Sequence, residues 1–223
     1  MFHRESNGLL KPINHMASQL EIGDLDFGGV CVIDEFVTEI EEETIVDYFS
    51  NLPWVASQSG RLKQDYGLSK VNFKKQKVKL NHLSKMPELF KPFITRVQTC
   101  DSDPGYAQIM AGFTPIELNV LEYNENRGSH IAPHFDDFWI WGERIVGLNL
   151  MEPTVMTFSK TVKDTKVEIE VPIPRRSLYL ISRQSRFEWM HGIKLQHIQG
   201  RRMVCTLREI ALEYGQGHPD EIA

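Results

Sequence analysis

Part-way along the chain the apolar residues change period, from about 3.6 to about 2 near Ile116, and this switch restricts the possible folds more than any other feature. Beyond it, strand patterns occur at 116–123, 144–151, 155–159, 166–173, 177–182 and 201–208, separated by turn residues. In the fourth of these, Val167, Ile169, Val171 and Ile173 alternate with Glu168, Glu170 and Pro172, which gives one buried and one wet face and places the strand near a sheet edge. Upstream, residues 30–36 read as a first strand. Thr38 with Glu41 has the capping-box spacing, and Ile45, Tyr48, Phe49 and Leu52 then supply one core face up to Pro53. Phe90, Ile94 and Val97 share a face of a second helix, with Pro87 in its first turn and Pro92 kinking or delaying it. The expectation is an α+β fold in which two N-terminal helices pack on a β-structure closed by two sheets.

At 223 residues and 41% hydrophobic, the chain has material for one domain with a sizeable core. Residues 1–28 read as a flexible leader, 29–215 as the single domain and 216–223 as a tail. No run approaches the roughly 18 apolar residues of a membrane span. Cys31, Cys100 and Cys205 are too far apart for a structural zinc pattern and fit reduced thiols, hence a nuclear or cytoplasmic location. The formal charge of −5 excludes a chain that coats nucleic acid by bulk electrostatics. Local contact is another matter: Arg61, Lys63, Lys70, Lys74, Lys75, Lys77 and Lys79 face only Asp65 across 61–79, with Tyr66, Val71, Phe73 and Val78 interleaved. That segment suits a basic lid at 57–80 touching a phosphate backbone, and equally a solvated strand face whose lysines protect an edge.

His134-Phe135-Asp136 puts two ligand-type side chains on one face of an extended backbone. A third, from His191 or His197, would complete the two-histidine, one-carboxylate triad of non-haem Fe(II) oxygenases. The last strand supports this: Arg202, Val204, Thr206 and Arg208 share one face, Met203, Cys205 and Leu207 the other. Two inward arginines need anionic partners, either structural carboxylates or a dicarboxylate cosubstrate. Six residues span about 20 Å of strand, so the two cannot hold one carboxylate side by side. Arg202 suits the distal carboxylate of 2-oxoglutarate, and Arg208 the metal end, against Asp136 or the near carboxylate.

The His-x-Asp pair, His191 and the Arg202 to Arg208 spacing resemble the AlkB family of Fe(II)/2-oxoglutarate dioxygenases. The blocks 57–61, 63–67, 70–77, 127–129 and 133–144 are similar to its fourth animal branch in particular. The resemblance, running from about residue 30 to 214, implies a double-stranded β-helix (jelly-roll) core flanked by N-terminal helices. It implies His134, Asp136 and His191 as iron ligands and as the catalytic centre, Arg202, Arg208 and Tyr123 as 2-oxoglutarate contacts, and O2 as cosubstrate. Leu121 stands where the family often has asparagine, leaving one polar contact unassigned. The implied reaction is oxidative N-demethylation, first of N6-methyladenine in DNA flipped into the pocket, with monomethyl-lysine on actin as the runner-up. Candidate substrate contacts are Arg61, Lys63, Lys74 and Lys75 on the lid and Asp137 and Trp139 beside the metal loop; for Trp139 and Trp141 a core role competes. A non-catalytic binding module is the alternative of another class.

Overall fold

The computed structural model describes residues 2–4, 10–12, 26–68, 71–72, 74–78, 84–100 and 104–211. In chain order the strands and helices are β1 (Phe2–Arg4), β2 (Leu10–Pro12), β3 (Val30–Ile33), α1 (Glu39–Ser50), β4 (Val55–Ala56), β5 (Leu62–Gly67), β6 (Val71–Asn72), β7 (Lys77–Val78), α2 (Lys91–Thr99), α3 (Pro104–Met110), β8 (Pro115–Asn124), β9 (Ile131–His134), β10 (Trp141–Leu150), β11 (Thr154–Val162), β12 (Thr165–Ile173), β13 (Leu178–Ile181), α4 (Arg183–Phe187), β14 (Met190–Ile193) and β15 (Arg201–Ile210). A seven-stranded sheet in the order β3-β13-β10-β15-β8-β5-β4 faces a four-stranded sheet in the order β12-β11-β14-β9. The architecture is the α+β jelly roll expected.

Period-two alternation sorts the large sheet into two cores. Met203, Cys205 and Leu207 of β15, Leu118 and Val120 of β8, Val146 and Leu148 of β10 and Leu178 and Leu180 of β13 face the helices, joining Ile45, Phe49, Phe93 and Val97. The opposite face sends Tyr123, Ile145, Tyr179, Ile181 and Val204 between the sheets, against Met156, Phe158, Val171 and Ile193 of the small one. β12 is an edge strand, with Ile169, Val171 and Ile173 buried and Glu168, Glu170 and Pro172 exposed, as its alternation indicated.

Other expectations need correction. Tyr48 lies off the core face, 39% exposed; Glu42 is buried instead, held by Arg175 and the Met151 amide. The second helix starts later than Pro87: a 3-10 turn, Glu88–Phe90, precedes it, and Pro92 then sits in its first turn, where no amide donor is needed. Helix α3 was not anticipated: it has only seven residues, of which Tyr106 and Met110, one turn apart, are buried and Ile109 packs beside them. Strand β5 also lacked a signal: Gln64 is buried there because its amide donates to the Phe49 carbonyl, a polar solution that hydropathy does not show. Part of the expected leader is paired, β1 with β2 antiparallel, since extended backbone satisfies its polar groups by pairing. The rest of 1–25 and the tail at 216–223 lie outside the described residues.

The capping box of α1 forms as predicted: the Thr38 hydroxyl accepts from the Glu41 amide and the Glu41 carboxylate from the Thr38 amide. Glu41 also binds the Arg96 guanidinium of α2, and this hydrogen bond is the main cause that lowers its pKa to about 2. A depressed carboxylate stabilises the fold above its unfolded pKa and loses that contribution as pH falls towards the folded one. Thr38→Ala is therefore expected to lower stability by about 1 kcal/mol at neutral pH. In pH-dependent denaturant unfolding, Glu41→Gln should show a smaller stability loss than the parent between pH 4.5 and about 2.

Candidate active site

Between the sheets lies a cavity of about 400 Å³, within the usual size of small-molecule sites. Strand pairing brings two of its side chains together: His134, at the end of β9, stands opposite His191 of β14, with ring centroids 4.5 Å apart. The third arrives from the loop after β9, where Asp136 places its Oδ2 3.3 Å from His191 Nε2. The ligand atoms of His134, Asp136 and His191 all lie within 4.8 Å of one another, the one such group among the described residues. His197, the competing third ligand, is elsewhere, with its Nε2 3.9 Å from Glu170. His130 lies in the irregular link before β9, its Nδ1 meeting the Gly128 carbonyl, and His82 lies outside the described residues.

Electrostatics keep this donor set ready for a cation. His134 donates from Nδ1 to the Ala132 carbonyl, leaving the Nε2 lone pair for the cluster. Burial, then the neighbouring His191, pushes its pKa down, so the ring is neutral. For Asp136 burial alone would raise the pKa, but the hydrogen bond with His191 and the Arg208 charge outweigh it and hold the carboxyl well below its usual range. A carboxylate at Asp136 and a neutral imidazole at His134 are forms that bind a metal.

The two arginines of β15 have different partners. Arg208 donates from Nη1 to Asp136 and from Nε to Glu117, both at 2.5 Å, and its guanidinium lies 4.3 Å from the Trp141 ring. Arg202, 1% exposed, donates from Nε to Asn149 at 2.5 Å and rests against the Tyr123 ring. Its Nη1 and Nη2 are buried and meet no acceptor. A pair of unsatisfied guanidinium donors in a cavity fits one absent carboxylate, bound bidentately. Alternation does not single out Asn149 as a partner: on β10 it shares the parity of Ile145, which lines the cavity, and a polar residue amid apolar neighbours is the only sign. Leu121 also lines the cavity, so no polar group comes from that position.

The expected substrate contacts divide. Arg61, Lys63 and Asp137 line the cavity, and the Arg61 guanidinium lies 5.8 Å from the Tyr123 ring. Lys74 and Lys75 do not line it; they are exposed in the turn between β6 and β7. Trp139 packs with Leu68, Val78 and Ile140 instead, and Trp141 is the tryptophan in the cavity wall. The segment expected as a lid at 57–80 is divided: β5 is built into the large sheet by pairing with β8, while among the described residues β6 and β7 pair with each other in a separate two-stranded sheet. Lys70, Phe73 and Lys79 lie outside the described residues. Arg186, which alternation cannot locate on the five-residue α4, is almost fully buried and donates to the carbonyls of Asp136, Trp141 and Gly142, fixing the loop that carries Asp136.

A Cβ on Gly147 would stand 2.1 Å from the Tyr179 ring, so this glycine is the notch in which the tyrosine lies. Gly147→Ala is expected to push Tyr179 into the cavity and to lower stability by about 1–3 kcal/mol in denaturant unfolding, the usual cost of overpacking.

No protein-family model matches the chain. It is 37% identical over 219 residues to the human α-ketoglutarate-dependent dioxygenase alkB homolog 4, covering 86% of this chain and 70% of that protein. It is 37% identical over 195 residues to the DNA N6-methyl adenine demethylase of Caenorhabditis elegans, covering 87% of this chain and 64% of that one. Among solved structures, a 2OG-Fe(II) oxygenase-family oxidoreductase from Burkholderia pseudomallei superposes with a TM-score of 0.56 over 81% of this chain and 84% of its own, at 11% identity, a likeness of fold alone.

Proposed function

The chain belongs to the AlkB family of 2-oxoglutarate-dependent dioxygenases, and from that premise we propose that it removes the methyl group of N6-methyladenine in DNA. The chemistry rests on one observation: the two unpartnered nitrogens of Arg202 share a cavity with the His134, Asp136 and His191 donors. When bound, Fe(II) with 2-oxoglutarate and O2 supplies the oxidising power that hydroxylates the N-methyl carbon, giving succinate and CO2. The N-hydroxymethyl product then breaks its C–N bond to release formaldehyde and the free amine.

Each residue has a task in this reading. His134, Asp136 and His191 would hold the iron, and Arg208 would keep Asp136 ionised and oriented while itself balanced by Glu117. Arg202, set by Asn149 and lying against Tyr123, would bind the distal carboxylate of 2-oxoglutarate. Tyr123 would donate to the cosubstrate, and Ile145, Met156 and Val204 would keep water out. Arg61 and Lys63 would meet the nucleic-acid backbone where the flipped base enters. Support for this substrate comes from the likeness to the worm DNA demethylase and from those basic residues.

Formaldehyde release from a methyladenine oligonucleotide, with a monomethyl-lysine actin peptide alongside, tests the reading; release from the peptide alone would overturn it. His191→Ala is expected to abolish Mn(II) binding read by electron paramagnetic resonance, and His197→Ala to retain it. Arg202→Met should weaken 2-oxoglutarate binding by about 10–100-fold in calorimetry, the loss of one charged hydrogen-bonded pair.

A further inference from the structure

Three of the seven large apolar side chains that the described residues leave exposed form one row: Phe135, Phe138 and Phe187. Ring centroids are 5.3 Å apart for Phe135 and Phe138 and 5.7 Å for Phe138 and Phe187. Phe135 lines the cavity, so the row begins at the site and leads outward from it over the loop after β9 to the end of α4. Three exposed phenylalanines in contact cost solubility, and such apolar patches mark interaction surfaces.

What lies beneath the row selects its occupant. The Arg186 guanidinium is 4.8 Å from the Phe138 ring and 5.2 Å from the Phe187 ring. Because Arg186 is 1% exposed while the two rings are nearly half exposed, the cation takes their inner sides. A cation on one face draws the ring's electron density towards itself, which makes the outer face a poor seat for a second cation such as a methylammonium. It leaves a good seat for a neutral, polarisable plane. We propose that the Phe135–Phe138–Phe187 row is a stacking platform for an unpaired nucleobase next to the one held in the cavity. This rests on the DNA reading above and deepens it, because it assigns a residue set that binds the strand and not the target base. Stacking on aromatic side chains tolerates any base, so the platform would confer a preference for unpaired flanking nucleotides without a sequence motif. Arg186 links the platform to the chemistry, since the same guanidinium donates to the Asp136 carbonyl.

The test uses the full chain with Mn(II) in place of iron and 2-oxoglutarate present, so that binding is read without turnover. The probe is a single-stranded oligonucleotide with one N6-methyladenine and 2-aminopurine on one or the other side. The parent protein should bind it and quench 2-aminopurine on one side. Phe138→Leu, which keeps an apolar cover on Arg186, should bind about 5- to 100-fold more weakly and lose the quenching, the usual range for one stacked base. Phe138→Trp should restore affinity and report DNA by its own fluorescence, which also covers the case in which the leucine variant fails to fold. An abasic nucleotide at the quenched position should weaken the parent but not Phe138→Leu. Equal binding and quenching by parent and Phe138→Leu would overturn the platform and leave the DNA reading standing. So would a loss in Phe138→Leu of the same size on abasic and intact strands, which marks mere loop support. Binding of a monomethyl-lysine peptide by the parent, with none of the oligonucleotide, would overturn the DNA reading and the platform with it.

Discussion

Two guanidinium groups set between the sheets, Arg202 buried and Arg208 largely so, are the constraint around which this molecule is arranged. Neither Arg202 nor Arg208 can be taken out of water without partners, and the fold supplies them unequally. Arg208 is satisfied within the chain by Asp136 and Glu117, which ties the large sheet to the loop beside the small one. Arg202 is satisfied on one side only, by Asn149, and its other two nitrogens wait in the cavity. The first arginine to be completed builds the site and the second defines what the site must receive. A buried half-satisfied charge is a cost to the empty protein that a carboxylate ligand removes, so part of the ligand's affinity is stored in the fold.

Much of this was legible because strands write their two faces in alternate letters. Met203, Cys205 and Leu207 could be separated from Arg202, Thr206 and Arg208 by parity, and the structure puts the first three against helices and lines the cavity with the others. The His-x-Asp spacing worked for the same reason, although Asp136 lies just past the end of β9 and needs Arg208 to aim it. Parity is silent about partners distant in sequence. Nothing near residue 191 says that it stands opposite residue 134, and choosing His191 over His197 needed the family pattern or the sheet register. Where burial is achieved by hydrogen bonds and not by apolar character, as at Gln64 of β5 or Arg186 of α4, hydropathy gave no sign. The basic segment could not be placed from composition, which groups residues that topology divides between a sheet strand and a separate hairpin.

The hairpin is nevertheless joined to the site. Val78 at its base packs with Leu68, Ile140 and Trp141, and Trp141 in turn supports Arg208. Arg186 reaches the same stretch from the other side by holding the carbonyls of Asp136, Trp141 and Gly142. The segment from Phe135 to Gly142 is therefore gripped on both flanks, which suits a loop that must present one carboxylate at a fixed angle.

The outer strand of the small sheet bears on a property unrelated to chemistry. On β12 the wet face carries Glu168, Glu170 and Pro172, and the two glutamates are paired with Lys194 and Lys166. A nine-residue strand with an open edge would ordinarily be a template for another chain. Proline in that edge lacks the amide that a newcomer would need, and the paired charges would have to be stripped of water before a second strand could dock. β12 is the longest open strand edge among the described residues, and its proline and paired charges oppose edge-to-edge addition of another sheet there.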